Sequence, residues 1–232
     1  MGRNRKQKRV NVQKPRTPKK ENPLKRPEVV LEPWNDKQEQ CLNNLDNFKV
    51  NLILGSAGTG KTFMAASKAA ELLADRDIRN IVMSKPIEGI GPSMGYLPGT
   101  LDEKMEPWYA SITDVLKLQL GHGFYEAGYG KSIRIEPLQM LRGRSFPNTA
   151  ILVDECQNLS KGALKAIIGR VGEGSTLTFM GDLKQIDVRD SGIQWLLRFL
   201  DDPRSGITRF VSDDIVRSSE CKYWVTKMEN EE

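Results

Sequence analysis

Two short stretches of this chain carry residues able to do chemistry on a phosphate. The first is Gly55-Ser56-Ala57-Gly58-Thr59-Gly60-Lys61-Thr62, a G-x-x-x-x-G-K-T run. Its glycines let successive backbone N–H groups turn inward around an anion. Lys61 is long enough to reach the β and γ oxygens of a nucleoside triphosphate, and the Thr62 hydroxyl is a ligand for Mg2+. The second stretch is Asp154-Glu155, directly after the apolar residues Ala150 to Val153. A phosphate cradle binds nucleotide without necessarily cleaving it. Cleavage needs a carboxylate that holds magnesium, the role expected of Asp154, and a group that orients and polarises water, the role expected of Glu155. Each stretch has a plainer reading, a Gly-rich turn without ligand and a pair of exposed acids. Their combination predicts a site for ATP and Mg2+. A third set, Gly181-Asp182 with Gln185, also follows an apolar run. It reads as a sensor of the γ-phosphate or as an ordinary Gly-Asp turn.

Such groups work only if the chain positions them. Short apolar runs at 50–54, 80–84, 132–135, 149–153, 175–180 and 207–211 read as strands. Between them, residues 61–74, 159–169 and 193–200 read as helices, with a further helix through Met105, Trp108 and Ile112. Asn35 or Asp36 is placed to cap a helix running to about Leu45, and the C-terminus is helical. Lys85 to Thr100 reads as a Gly- and Pro-rich loop. Strands alternating with helices predict an α/β fold with a mostly parallel sheet covered on both faces. Ligands of such sheets bind beyond the carboxyl ends of the strands, which is where all three polar sets fall.

The bulk properties exclude other classes. With 38% hydrophobic and 28% charged residues the chain has ordinary globular composition. No apolar run approaches a membrane span and no apolar stretch follows the charged N-terminus, so a cytosolic location without membrane contact is expected. Met1-Gly2 begins like a myristoylation site, but Lys6 stands where Ser or Thr is needed. Cys41, Cys156 and Cys221 are too few and too scattered for a disulfide framework or a metal site. His122, the single histidine, reads as a surface residue of a Gly-rich loop. Charge is unevenly placed. Residues 1–26 hold eleven Lys or Arg against Glu21 alone, so the chain's +5 divides into +10 on this arm and −5 on the remainder. With Pro15, Pro18, Pro23 and Pro27, residues 1–30 read as a disordered basic tail ahead of a domain at 31–232. Such an arm suits nucleic acid phosphates, or serves only solubility.

These residues together resemble the PhoH family, phosphate-starvation-inducible ATPases related to the superfamily-one helicase core. The resemblance spans about residues 31–227. Its most specific part is Lys85-Pro86 through Gly95-Tyr96-Leu97-Pro98-Gly99-Thr100-Leu101-Asp102-Glu103-Lys104, followed by Met140 to Arg144, Asp154 to Asn158, Gly181 to Asp187 and Asp214 to Arg217. It implies a RecA-like P-loop three-layer sandwich, an ATPase acting on RNA or other single-stranded nucleic acid, and a homo-oligomer such as a hexameric ring. It implies that Gln38 reads adenine, that Gln157 and Gln185 couple the γ-phosphate to neighbouring segments, and that Arg217, or next Arg170, is an arginine finger. Arg142 and Arg144 would position a loop or contact RNA. Lys85 departs from the family's Arg, which keeps charge but loses the planar fork, and Cys156 replaces Ala as a packing change. With no second RecA-like domain in the sequence, unwinding by domain closure would have to operate between subunits. An ATP-driven switch acting on a protein partner, and a binding module without hydrolysis, are the competing readings. Trp34, Trp108, Tyr109, Tyr125 and Tyr129 are candidates for base stacking or for core.

Overall fold

The computed structural model describes residues 27–86, 106–141, 143–216 and 218–231. Six strands form one sheet: β1 (Val50–Leu54), β2 (Asn80–Ser84), β3 (Ile133–Ile135), β4 (Thr149–Val153), β5 (Thr176–Gly181) and β6 (Ser205–Arg209). Their order is β3-β2-β4-β5-β1-β6, and every pairing is parallel. The central strands are buried almost without interruption, as in Ile81-Val82-Met83 and Ala150 to Val153. That continuous burial is what a parallel sheet with both faces covered requires.

One face carries α1 (Asp36–Asn47), α2 (Lys61–Asp75), α3 (Ala110–Leu120) and α4 (His122–Gly128). They pack on Ile53, Ile81, Met83, Leu152 and Met180. Ala65, Ala66, Ala69 and Ala70 on α2 are all buried, and their small side chains let this helix lie close to the strands. The other face carries α5 (Leu138–Leu141), α6 (Lys161–Ile168) and α7 (Ile193–Phe199) over Leu52, Val82, Ile151, Val153 and Phe179. The last helix, α8 (Ser219–Glu231), leaves Tyr223, Trp224 and Met228 exposed. The architecture is a three-layer α/β sandwich. Strand β5 separates the strand that leads into the glycine run, β1, from the strand that ends in the two acids, β4. This is the RecA-like arrangement.

Asn35 caps α1, its side chain accepting the Gln38 N–H at 2.8 Å. Two expectations need correction. The last strand lies at Ser205–Arg209, two residues before the apolar run that suggested it. Its register is set by pairing with β1, Val50 against Ser205 and Leu54 against Arg209, and β6 is an edge strand that accepts polar residues. His122 stands not in a loop but at the start of α4, which is anchored by fully buried Tyr125. The arm at 1–26, most of the loop from Lys85 onward including the Leu97-Pro98-Gly99 signature, Arg142 and Arg217 lie outside the described residues.

Candidate active site

The glycine run turns from the end of β1 into α2. Gly58 and Gly60 adopt φ of 88° and 91°, a left-handed conformation that a side chain would strain. A Cβ at Gly55 would come within 2.7 Å of the Phe210 Cβ. Thr59 closes the turn, its hydroxyl donating to the Ser56 carbonyl at 2.9 Å. No side chain caps α2, so its first N–H groups and its positive dipole end are aimed at the loop's concave side, a ready anion site. The Lys61 ammonium donates to the carbonyls of Gly55 at 2.5 Å and Ser56 at 2.9 Å. Burial pulls its pKa below the usual lysine range, against the opposing pull of Asp182, Asp154 and Glu155. Three carboxylates that follow β4 and β5, Asp154, Glu155 and Asp182, line one cleft with the P-loop lysine.

Parallel strands lie about 4.8 Å apart, so the ends of β1 and β4, two strands away, are separated by about 10 Å. β5 ends between them in Gly181, which lines the same cleft. Asp154 is 7% exposed. Burial, with the adjacent Glu155 charge, pushes its carboxyl above the usual range, while Lys85 and Lys61 oppose. Glu155 has φ 52°, a left-handed conformation held by a non-glycine residue. Its carboxylate accepts from the Gln157 Nε2 at 2.7 Å. Gln157 is fully buried, and the same Nε2 also donates to the Gln185 carbonyl at 3.0 Å. The Gln157 Oε1 accepts the Asp182 N–H at 3.1 Å, and the Gln185 Nε2 donates to Asp182 at 2.7 Å. Gln157 therefore ties the acid pair after β4 to the polar loop after β5. Ser191 adds a further tie, its hydroxyl donating to the Gln157 carbonyl at 2.5 Å. Nothing in the sequence pointed to Ser191, because the contact joins residues 34 apart. One open cleft of about 780 Å³ is lined by Gly58, Gly60, Lys61, Thr62, Asp154, Glu155, Asp182 and Gln185.

The description "PhoH-like protein" belongs to a family model that matches residues 30–229. The chain belongs to the PhoH family. It is 35% identical over 196 residues to the protein PhoH of Escherichia coli K12, covering 81% of this chain and 55% of that protein. It is 36% identical over 201 residues to PhoH2 of Bacillus subtilis, covering 79% and 45%. The chain thus spans about half the length of the curated relatives it matches. Among solved structures it is similar to the large terminase of a thermophilic bacteriophage, at 12% identity and a TM-score of 0.48 over 85% of this chain and 50% of that one. It is also similar to the Pif1 helicase of Candida albicans, at 16% identity and a TM-score of 0.38 over 78% and 41%.

The remaining candidates of this PhoH domain separate by position. Gln38 is not an exposed helix residue: it is 3% exposed and lines the cleft. Its Nε2 would lie 3.0 Å from a Cβ at Gly60, and its Oε1 accepts the Trp34 N–H at 2.9 Å. Ala57 also lines the cleft, as does Lys85, while Ser56, within the loop, is buried. The aromatic candidates divide cleanly. Tyr109 and Tyr125 are core residues, Tyr129 packs against them, and Trp34 and Trp108 are exposed at the cleft. Val216, next to Arg217, donates its N–H to the Gly58 carbonyl at 3.1 Å. Arg170 lies at the other end of the sheet, where its carbonyl accepts from Phe146 ahead of β4. Arg144 pairs with buried Glu136 at 3.2 Å. Cys156 is fully buried, and burial pushes its thiol well above the usual range, which fits packing and not nucleophilic chemistry.

Proposed function

We propose that this chain is a magnesium-dependent ATPase that works on RNA or other single-stranded nucleic acid. The observation that carries the reading is the gathering of Asp154, Glu155 and Asp182 with Lys61 in one cleft beside a glycine-built anion nest. Among the described residues, no cluster of three or more His, Cys, Asp or Glu could hold a metal alone. One carboxylate and one hydroxyl in a phosphate cleft suit Mg2+, which completes its shell with phosphates and water. Thr62 and Asp154 would hold that ion, and when bound it neutralises phosphate charge. Glu155 orients a water and accepts its proton as the water oxygen bonds to the γ-phosphorus. The bond to the bridging oxygen breaks and ADP leaves. Lys61 and the N–H groups of residues 58–62 take up the charge on the phosphate oxygens. Gln38 reads the base, Gln185 senses the γ-phosphate, and Arg217 serves as an arginine finger from a neighbouring subunit in a ring.

The basic arm, the exposed Trp108 and the half-buried Lys85 at the cleft support a nucleic acid partner. The exposed Tyr223, Trp224 and Met228 of α8 support self-association, and they equally suit the second reading, an ATP-driven switch that docks a protein. No helix among the described residues is long and apolar enough to cross a membrane, and the working location of such an ATPase is the cytosol. Phosphate release with and without single-stranded RNA, run beside a size measurement with ATP bound, tests the reading. Stimulation by RNA supports it, turnover unchanged by RNA or DNA favours the protein partner, and absence of ATP turnover overturns it.

A further inference from the structure

We infer that Trp34 is the stacking platform for the nucleobase, an inference that rests on the ATP-binding assignment above. The topology fixes which way a nucleotide lies. β1, which leads into the P-loop, has β5 on one side and β6 on the other. The acids that face a terminal phosphate, Asp182 after β5 and then Asp154 and Glu155 after β4, all lie on the β5 side. A nucleotide laid along the loop therefore runs its base toward the β6 side. The elements there are α1, packed on β6, and the segment after β6, whose Val216 N–H bonds the Gly58 carbonyl at 3.1 Å. With Trp34 just ahead of α1, they contribute Trp34, Gln38 and Val216 to the cleft wall.

Trp34 is 71% exposed, leaving its ring faces open to a ligand. Its backbone is not loose. The Trp34 N–H donates to the Gln38 Oε1 at 2.9 Å, and the Gln38 amide rests against Gly60 of the P-loop. The indole is thereby mounted on the phosphate cradle through one buried side chain. With Oε1 engaged by Trp34, the NH2 end of Gln38 is the group offered to the base, and it suits a ring-nitrogen acceptor. A bicyclic base also covers more of an indole than a monocyclic one. Trp34 and Gln38 together therefore select a purine nucleoside triphosphate over a pyrimidine one.

The test is calorimetric titration of the full chain in Mg2+ with ATP, UTP and inorganic tripolyphosphate, for the parent, Trp34→Ala and Trp34→Phe. Trp34 is exposed, so neither variant endangers the fold. Trp34→Ala should weaken ATP about tenfold, the range of one lost base–aromatic stack. It should leave tripolyphosphate unchanged and shrink the ATP-over-UTP preference, and Trp34→Phe should restore most of both. An Ala variant with parental ATP affinity and parental preference overturns the inference. So does one that weakens tripolyphosphate as much as ATP, because Trp34 would then act on the shape of the loop. A parent chain that binds neither ATP nor tripolyphosphate overturns the nucleotide site and this inference together.

Discussion

Replacing Gln157 with leucine, which has similar bulk and no polar atoms, would remove the amide that serves Glu155, Asp182 and Gln185 at once. The magnitude follows from those three bonds. The 2.7 Å contact to the Glu155 carboxylate is charge-assisted, and losing such a bond costs about 1.5–3 kcal/mol. The buried Asp182 N–H loses the acceptor it has at 3.1 Å, and an orphaned buried donor costs about 1–3 kcal/mol. The Gln185 carbonyl loses one donor, a smaller penalty. The sum is about 3–6 kcal/mol, a large share of the roughly 5–15 kcal/mol that holds a domain together. For a chain of this size it corresponds to a fall of about 10 °C in Tm. Turnover should fall further than stability implies. Glu155 loses the contact that orients its carboxylate, and a misplacement of about 1 Å is worth roughly a hundredfold in rate. Urea unfolding gives the stability loss as a shift of midpoint at constant slope, and phosphate release gives turnover under conditions where the variant is folded. A variant that loses less than about 1 kcal/mol and retains parental turnover would refute the reasoning, because Gln157 would then be dispensable to both loops.

Three further perturbations bear on the site. Lys61→Ala should abolish ATP hydrolysis in a phosphate-release assay, and activity within a few-fold of parental would remove Lys61 from the chemistry. Glu155→Gln should bind ATP with near-parental affinity yet turn over at least about a hundredfold more slowly, consistent with loss of a group that positions and deprotonates water. Asp154→Asn, measured without divalent metal, should melt higher than the parent at neutral pH while losing activity. Burial holds the folded-state pKa of Asp154 above its unfolded value, so the parent carries the cost of a buried charge at neutral pH. That cost is shed as pH falls through the folded pKa. The gap between variant and parent should therefore be widest near neutrality and close toward acid pH, and a gap that grows on acidification has the wrong sign.

Much of this was legible because it was local. The nest at 55–62 depends on glycines within a few residues and on a helix that begins where the glycines stop. Asn35 caps α1 through a contact three residues long. Strands such as Ala150 to Val153 announce themselves by unbroken apolar character, since both their faces are covered. What depended on distant pairing was not legible. β6 slid two residues from its apolar run because β1 dictates its register, and no sequence pattern says that β1 lies between β5 and β6. The family resemblance gives Gln157 a coupling role, but its partners Asp182 and Gln185 lie 25 and 28 positions away and no local pattern names them. Gln38 reaches the cleft only because α1 docks beside β6, a long-range packing that no local pattern in the sequence announces.

The same long-range logic accounts for two features beside the acids, a left-handed turn and a strand-ending glycine. Glu155 occupies a left-handed conformation with φ 52°, which costs a non-glycine residue about 1–3 kcal/mol. The turn redirects the chain so that consecutive acids, which would alternate across a strand, are presented toward one cleft. Gln157 then holds the second acid in place. Gly181 is the complementary feature: a Cβ there would lie 2.8 Å from the Gln157 Oε1 and 2.9 Å from the Cys156 Sγ. Any side chain at 181 would thus push the amide off both Asp182 and Glu155. The glycine that ends β5 and the glutamine after β4 are one device written in two places, and the strain at Glu155 persists because that device over-determines its position.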